Sequence, residues 1–180
     1  MLNEMLIAGF GGQGIVTLGK LIACAGMLEG MEVCCWPRYG AEMRGGTAYC
    51  TVILSSEVVD SPMITLFDTV VVMNYPSLVQ YQDKVRKGGL LFWNSSVIAE
   101  EPQRKEVERI AVDATNIGSS LGNSRIANIV FLGCLSRKTG LFSSDSATMA
   151  LQKVFKRMTP EMFRLNQLAL QKGSEVVNRG

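Results

Sequence analysis

Two glycine-rich stretches contain the residues of this sequence that are best suited to binding chemistry. The first, AGFGGQG at positions 8–14, follows an apolar run at 5–7 and leads into a helix-like pattern. Glycines let a ligand or another protein approach the backbone closely, and free N–H groups at a helix start attract phosphate. The candidate binding residues of this stretch are Gly9, Gly11, Gly12, Gln13 and Gly14.

The second stretch is RYGAEMRGGTAYC at 38–50. An arginine beside two glycines can hold an anion with both its guanidinium fork and the neighbouring backbone. The competing interpretation is a surface ion pair between Glu42 and Arg44, which would contribute little to stability. The candidate residues here are Tyr39, Glu42, Arg44, Gly45 and Gly46.

The first glycine loop is open to three further interpretations. It matches the GxGxxG dinucleotide fingerprint, but that fingerprint expects an acidic residue about 20 positions on. The second strand instead ends in CCWPR, where Arg38 could take a 2′-phosphate. The stretch 14–20 nearly matches a P-loop, yet Leu21 replaces the Ser or Thr that binds magnesium. Purely structural glycines are the third interpretation, which the polar Gln13 and the additional glycine disfavour.

Composition and net charge narrow the class of protein and the partners that can be expected. The 180 residues are 47% hydrophobic and 19% charged, which predicts one globular domain over 1–180. A net charge of +2 gives no reason to expect nucleic acid or a membrane surface as partner. No apolar run is long enough to span a bilayer and no signal peptide is apparent, so a cytoplasmic location is expected.

The chain contains no histidine, which removes Ser-His-Asp and Cys-His nucleophile pairs. Its five cysteines lack the spacing of a zinc site or an iron–sulfur cluster. We therefore expect them to be small core residues in a reducing compartment. No catalytic residue and no metal site are predicted for this chain.

Hydrophobic patterning predicts an α/β fold. Strands are expected at 4–9, 31–36, 47–55, 68–74, 88–94 and 106–114, with a loop over 36–46. A helix is expected at 14–29, with Gly19 and Gly26 allowing it to lie close to a sheet. A short helix should start near Pro76, and the remainder after 114 should be helical. Its first helix has an apolar stripe from Ile126 to Gly133, its second is capped by Ser144 or Asp145, and its last starts with Thr159 as the cap and Pro160 at the first helical position. Alternation of these elements predicts a single-domain open, mostly parallel sheet with helices on both faces and a Rossmann-like βαβ start.

Five motifs in order resemble the gamma subunit of the 2-oxoacid:ferredoxin oxidoreductases. They are GFGGQG (9–14), YGAEMRGGTAYC (39–50), SPMITLFDTVVVMNYPSL (61–78), GGLLFWNSS (88–96) and GNSRIANIVFLGCL (122–135). The resemblance covers about residues 4–138. Within it, the motif sequences YGAEMRGGTA and MNYPSL are most similar to the 2-oxoglutarate branch of the family. Pyruvate, branched 2-oxoacid and indolepyruvate oxidoreductases remain alternatives, as does a free-standing Rossmann-type NAD(P)-binding enzyme.

The resemblance implies a subunit that is not active alone. Enzymes of this family convert a 2-oxoacid and coenzyme A to acyl-CoA and carbon dioxide, with electrons passing to ferredoxin. Thiamine diphosphate, magnesium and iron–sulfur clusters are then expected on the partner alpha, beta and delta subunits. Coenzyme A is a substrate of the complex, and gamma contributes to binding it or packs against alpha. A homodimer of the isolated chain is a further option.

On this view the two glycine-rich loops meet at the carboxyl edge of the sheet, facing coenzyme A phosphates, the alpha subunit or both. Gly11, Gly12 and Gly14 would offer backbone N–H donors, and Gln13 would bond a ligand or a partner backbone. Arg44 would pair with an anion while Glu42 orients it.

Overall fold

The computed structural model describes residues 1–39, 47–59 and 64–177. The strands in this part are β1 (Leu2–Phe10), β2 (Glu32–Tyr39), β3 (Thr47–Ser55), β4 (Phe67–Val72), β5 (Val85–Asn94) and β6 (Glu108–Val112). The helices in this part are α1 (Ile15–Leu28), α2 (Tyr75–Tyr81), α3 (Ala114–Ser120), α4 (Ala127–Thr139), α5 (Ser144–Val154) and α6 (Pro160–Val176). Short 3-10 turns lie at Gln82–Lys84 and Ser124–Ile126.

The strands form one sheet in the order β2-β3-β1-β4-β5-β6. β3 is antiparallel to both β1 and β2, whereas β1, β4, β5 and β6 pair in parallel. The predicted open, mostly parallel α/β sheet is therefore confirmed. β1 and β2 run parallel as the βαβ pattern requires, but β3 lies between them. The carboxyl ends of every strand except β3 consequently share one edge of the sheet.

Alternating side chains of β1 divide the core between the two faces of the sheet. Met5 and Ile7 join a large cluster with α1, α4, α5 and α6, whereas Leu6 joins a smaller one with Leu78 of α2. Helices thus cover both faces, but unevenly. Within the described ranges, no helix combines the length and apolarity that a bilayer crossing requires.

Helix α1 packs closely on β3 because two of its residues lack a side chain. A Cβ atom at Gly26 would lie 2.5 Å from Leu54 Cδ2, and one at Gly19 would collide with Cys50 Sγ. The predicted role of both glycines is confirmed. This close packing fixes the axis of α1, and therefore the position of the glycine loop at its start.

Two local predictions need correction, and one helix was missed. The predicted loop 36–46 is too long, because β2 continues to Tyr39 through pairing with β3. Helix α5 is capped by Ser143, whose hydroxyl accepts from Ser146 N at 3.0 Å, rather than by Ser144 or Asp145. Helix α3 was not predicted, since its seven residues are too few to show a helical period.

Candidate functional site: the glycine loop at the carboxyl edge of the sheet

The glycine loop connects the carboxyl end of β1 to the start of α1. Gly12 and Gly14 adopt left-handed backbone angles, with φ of 97° and 75°. Gly14 is the N-cap of α1, and no side chain among the described residues accepts a hydrogen bond from the first turn of that helix. The first N–H groups of a helix have no partner within it. The loop therefore presents an uncapped helix start at the edge of the sheet.

The four glycines of the loop fall into two pairs. A Cβ atom at Gly9 would lie 2.6 Å from Ile15 Cδ1, and one at Gly14 would lie 2.5 Å from Asn128 Nδ2. Gly11 and Gly12 are exposed, and a Cβ at either would meet no atom of the described residues within 4 Å. Gly9 and Gly14 are thus required by packing, whereas the open Gly11–Gly12 backbone can be approached from outside.

Gln13 joins the loop to the neighbouring strand β4. Its Oε1 accepts from Phe10 N at 2.7 Å and from Asn74 Nδ2 at 3.1 Å, while its Nε2 donates to Met73 O at 3.1 Å. Asn74 in turn caps α2, because its Oδ1 accepts from Ser77 N at 2.9 Å. Gln13 holds the loop in place, and one of its amide hydrogens has no acceptor among the described residues.

Further polar side chains follow β5 and β6 at the same edge. Asn94 is fully buried and donates from Nδ2 to Thr115 Oγ1 at 2.8 Å. Within the described part of the chain, its Oδ1 has no partner. Ser96 donates to Asp113 Oδ1 at 2.6 Å and accepts from Thr115 N at 3.0 Å. A polar row therefore extends from the glycine loop across the carboxyl ends of β4, β5 and β6.

The second motif lies mostly outside the described residues. Glu42, Arg44, Gly45 and Gly46 fall there, and Tyr39 is described only as the last residue of β2. The strands on either side nevertheless show where this segment is attached, since Tyr39 pairs with Ala48, and Thr47 pairs with Phe10. Tyr39 and Thr47, the described residues on either side of 40–46, therefore lie at the edge that carries the glycine loop.

A cavity of about 500 Å³ lies beside the loop, lined by Gly14 and by residues from 123–129 and 155–166. It includes Arg125, Arg157 and the buried Asn128 and Asn166. Sequence reasoning missed this cavity, because its walls come from three segments that only the tertiary structure brings together.

An ionic cluster occupies the opposite edge of the sheet. Arg86 donates to Asp68 Oδ1 at 2.6 Å and to the carboxylate of Glu4. Asp68 and then Glu4 raise the pKa of the Arg86 guanidinium by stabilising its charged form. The cluster joins β1, β4 and β5 at their amino ends, far along the strands from the glycine loop, and its role is structural.

The cysteines do not build a metal centre in the described part of the chain, where no group of three or more Cys, Asp or Glu side chains is placed to hold an ion. Cys35 and Cys50 do come together, with their Sγ atoms 3.6 Å apart across β2 and β3. The hydrogen bond shared with Cys35, together with burial, raises the pKa of the Cys50 thiol. This contact was not predicted, because Cys35 and Cys50 lie on different strands, and only the pairing of β2 with β3 brings them together.

Comparison with known proteins identifies the family. The model of the pyruvate ferredoxin/flavodoxin oxidoreductase family matches residues 4–176. The chain belongs to this family, as its motifs predicted. The ketoisovalerate oxidoreductase subunit VorA of Methanothermobacter marburgensis is 38% identical over 129 residues. That match covers 72% of this chain but only 27% of VorA, so the chain spans about a quarter of that relative.

Two solved structures share the fold. The gamma subunit of a keto/oxoacid ferredoxin oxidoreductase from Geobacter sulfurreducens has a TM-score of 0.85 at 28% identity, over 98% of this chain and 96% of that chain. The 2-oxoglutarate:ferredoxin oxidoreductase of Magnetococcus marinus, with 2-oxoglutarate, coenzyme A and succinyl-CoA bound, has a TM-score of 0.88 at 26% identity. It matches over 97% of this chain and 31% of that chain. The match therefore spans nearly all of the Geobacter sulfurreducens gamma subunit and about a third of the longer Magnetococcus marinus chain.

The sheet order also weakens the NAD(P) interpretation. In a dinucleotide-binding fold the strand that carries the ribose-binding residue lies next to the strand of the glycine loop. Here β3 separates β2 from β1, so Arg38 at the end of β2 lies two strand spacings, roughly 10 Å, from the glycine-loop strand.

Proposed function

We propose that this chain is the gamma subunit of a multisubunit 2-oxoacid:ferredoxin oxidoreductase, in which it helps to bind coenzyme A at the glycine-loop edge. The observation that carries the proposal is the open backbone of Gly11 and Gly12 before the uncapped start of α1. A phosphate needs N–H donors that nothing else uses, and a helix start supplies them with a favourable dipole. The relative with bound coenzyme A shares this fold over nearly the whole chain.

The residues of the two glycine-rich stretches would have different roles in binding. The N–H groups of Gly11, Gly12 and Gly14 would face the phosphates, with Gly9 required only for packing. Gln13 would act mainly by holding the loop against β4, with its remaining amide hydrogen available to a ligand or partner backbone. Arg44 would pair with an anion, Glu42 would orient it, and Tyr39, Gly45 and Gly46 would complete the rim. Each of these roles remains a proposal.

The chemistry would belong to the other subunits. Oxidative decarboxylation relies on cofactors that stabilise a carbanion and carry electrons, and we assign thiamine diphosphate, magnesium and iron–sulfur clusters to partner alpha, beta and delta subunits. The 2-oxoacid would be chosen there too. We favour 2-oxoglutarate as the substrate because of the motif sequences YGAEMRGGTA and MNYPSL. The similarity to a ketoisovalerate oxidoreductase subunit keeps a branched 2-oxoacid as the alternative substrate.

The first test is isolation of the chain from its native source under anoxic conditions. Partner chains are identified by mass, and the eluate is assayed for coenzyme-A-dependent dye reduction with 2-oxoglutarate, pyruvate and 2-oxoisovalerate. We expect co-elution of subunits that carry thiamine diphosphate and clusters, with the highest activity on 2-oxoglutarate. A chain that elutes alone and binds NAD(P) would contradict the proposal.

The ligand role is tested by Arg44→Ala in the whole complex, with Arg137→Ala as the matched control. Arg137 is exposed in the last turn of α4, near the opposite edge of the sheet. We expect Arg44→Ala to raise the KM for coenzyme A and to leave the KM for the 2-oxoacid unchanged. An unchanged KM for coenzyme A in an intact complex would refute a ligand role for Arg44. Loss of the subunit from the complex would instead assign this edge to packing against alpha.

A further inference from the structure

The thiols of Cys35 and Cys50 lie close enough to be joined by a bond. In the antiparallel pairing of β2 with β3, Cys35 is opposite Val52 and Pro37 is opposite Cys50, so the two cysteines are diagonal neighbours. Cys50 belongs to the core cluster that includes α1, and Cys35 packs against that cluster. Their Sγ atoms are 3.6 Å apart, and a disulfide requires about 2.0 Å. A relative movement of about 1.5 Å would therefore bring the two sulfurs to bonding distance.

Strand β2 is the element that can make this movement. It lies at the end of the sheet order, where it pairs with β3 alone among the described strands. Strand β3, in contrast, is held between β2 and β1. An edge strand has hydrogen-bonding groups that no second strand uses, so it can shift toward its one neighbour without breaking pairing elsewhere. Closure of the bond requires a small shift of β2 and no rearrangement of the central strands.

The two thiols differ in burial and in acidity. Cys50 is fully buried, whereas Cys35 is half-buried and can be reached from solvent. The hydrogen bond shared with Cys50 lowers the pKa of Cys35, and the ammonium of Lys20 on α1 also lowers it, against the opposing effect of burial. The thiolate is the reactive form of cysteine, and peroxides oxidise accessible, acidic thiols that have a second thiol beside them. Cys35 therefore has the features of an attacking thiol, and Cys50 has those of a resolving thiol.

We propose that Cys35 and Cys50 form a reversible disulfide when the protein meets a hydroperoxide. The Cys35 thiolate attacks one peroxide oxygen and the O–O bond breaks. The departing oxygen takes up the proton that Cys35 released and, for hydrogen peroxide, leaves as water. The Cys50 sulfur then attacks the sulfenic acid on Cys35, the S–O bond breaks, and the oxygen leaves as a second water with the Cys50 proton. Two electrons thus pass from the two thiols to the peroxide, and a dithiol reductant restores both thiols by exchange.

The disulfide would join the two strands from which the second glycine-rich stretch extends. Residues 36–49 would become a closed loop, and this loop contains Tyr39, Glu42 and Arg44. A disulfide stabilises a protein mainly by restricting its unfolded chain. We therefore expect the oxidised chain to hold β2 against β3 more firmly than the reduced chain does. The modification is independent of the proposed function, because it does not require the glycine-loop edge to bind coenzyme A.

The test uses the full-length chain, purified under anoxic conditions, treated with hydrogen peroxide and then alkylated to block the remaining thiols. Peptide mass mapping locates the disulfide. We expect one disulfide, between Cys35 and Cys50, which dithiothreitol removes. Cys34→Ser is the matched control, because Cys34 precedes Cys35 on β2, is also half-buried and faces the opposite side of the sheet. This variant should form the same disulfide at the same rate as the parent.

Two further variants separate the roles of the two thiols. Cys50→Ala should leave a sulfenic acid on Cys35 that dimedone labels, whereas Cys35→Ser should leave Cys50 reduced. The oxidised parent should also unfold at a higher urea concentration than the reduced parent, and Cys35→Ser should show no such shift.

A peroxide-treated parent that lacks this disulfide, or that forms one with Cys24 or Cys34, would overturn the proposal. The parent chain decides this point even if a variant fails to fold. A disulfide between Cys35 and Cys50 that lowers the urea midpoint would overturn the expectation that oxidation holds β2 against β3. Each of these results leaves the proposed function untouched, because none of them measures coenzyme A binding or assembly of the complex.

Discussion

Replacing Gly14 by alanine should destabilise the protein because this glycine fulfils two requirements at once. Its φ of 75° is left-handed, a conformation that costs other residues about 1–2 kcal/mol. A Cβ atom there would also lie 2.5 Å from Asn128 Nδ2 and 2.8 Å from Asn128 Cγ. Asn128 is buried, so its side chain cannot move aside freely, and overpacking of this kind costs about 1–3 kcal/mol.

The two contributions give a loss of about 3 kcal/mol in the free energy of unfolding, or roughly 6–12 °C in Tm for a chain of this size. Gly11→Ala is the matched control. A Cβ at Gly11 would meet no atom of the described part of the chain within 4 Å, and Gly11 is not among the glycines with positive φ. We expect its stability to stay within about 0.5 kcal/mol of the parent chain.

The assay is urea unfolding of the isolated chain, followed by circular dichroism and by the fluorescence of Trp36 and Trp93. Coincident transitions by the two probes would establish two-state behaviour. A Gly14→Ala variant as stable as the parent would refute the reasoning. A loss in Gly11→Ala equal to that in Gly14→Ala would refute it too, because it would mean that the loop as a whole tolerates no side chain. Since no ligand is added, the result is independent of any binding role.

Two further predictions concern side chains that connect distant parts of the chain. Gln13→Ala removes three hydrogen bonds around a half-buried loop and should lower the free energy of unfolding, measured in urea, by about 1–3 kcal/mol. An unchanged urea midpoint would contradict this prediction, because it would mean that water replaces all three hydrogen bonds. Hydrogen bonds from Ser143 and Ser146 lower the pKa of Glu29 below 4.5, so its contribution to stability is complete above about pH 4.5 and is lost as pH falls through the lowered value. The difference in unfolding free energy between the parent and Glu29→Gln should therefore shrink from pH 7 to pH 3, and a constant difference would contradict the role of the Glu29 charge.

The elements that the sequence predicts well are those with strong local signals. β3 at Thr47–Ser55 is predicted to the residue, because a β-rich run there is bounded by glycines and serines. The start of α6 is predicted by Thr159 and Pro160, and Thr159 Oγ1 does accept from Met162 N at 3.2 Å. Caps and turns depend on neighbours only a few positions away, so the sequence shows them directly.

The candidate site is predictable only in part. The glycine loop is found from its spacing, and its strand–turn–helix setting is confirmed. Its division into packing glycines and open glycines could not be predicted, because Gly14 is fixed by Asn128, which is 114 positions away. Likewise, the hydrogen bonds between Gln13 and Met73 or Asn74 join residues about 60 positions apart. Nothing in the motif therefore shows that this glutamine holds the loop against β4.

The sequence alone determined the class of fold, the family and the order of the elements, because patterns of apolar residues and glycines act over one element at a time. The tertiary structure alone decided three other features: the insertion of antiparallel β3 between β1 and β2, the contact between Cys35 and Cys50, and the cavity with Arg125 and Arg157 in its walls. The physical reason is the same in each case. Strand pairing and helix packing are selected by the burial of the whole core, and they bring together residues whose separation along the chain carries no signal of their contact.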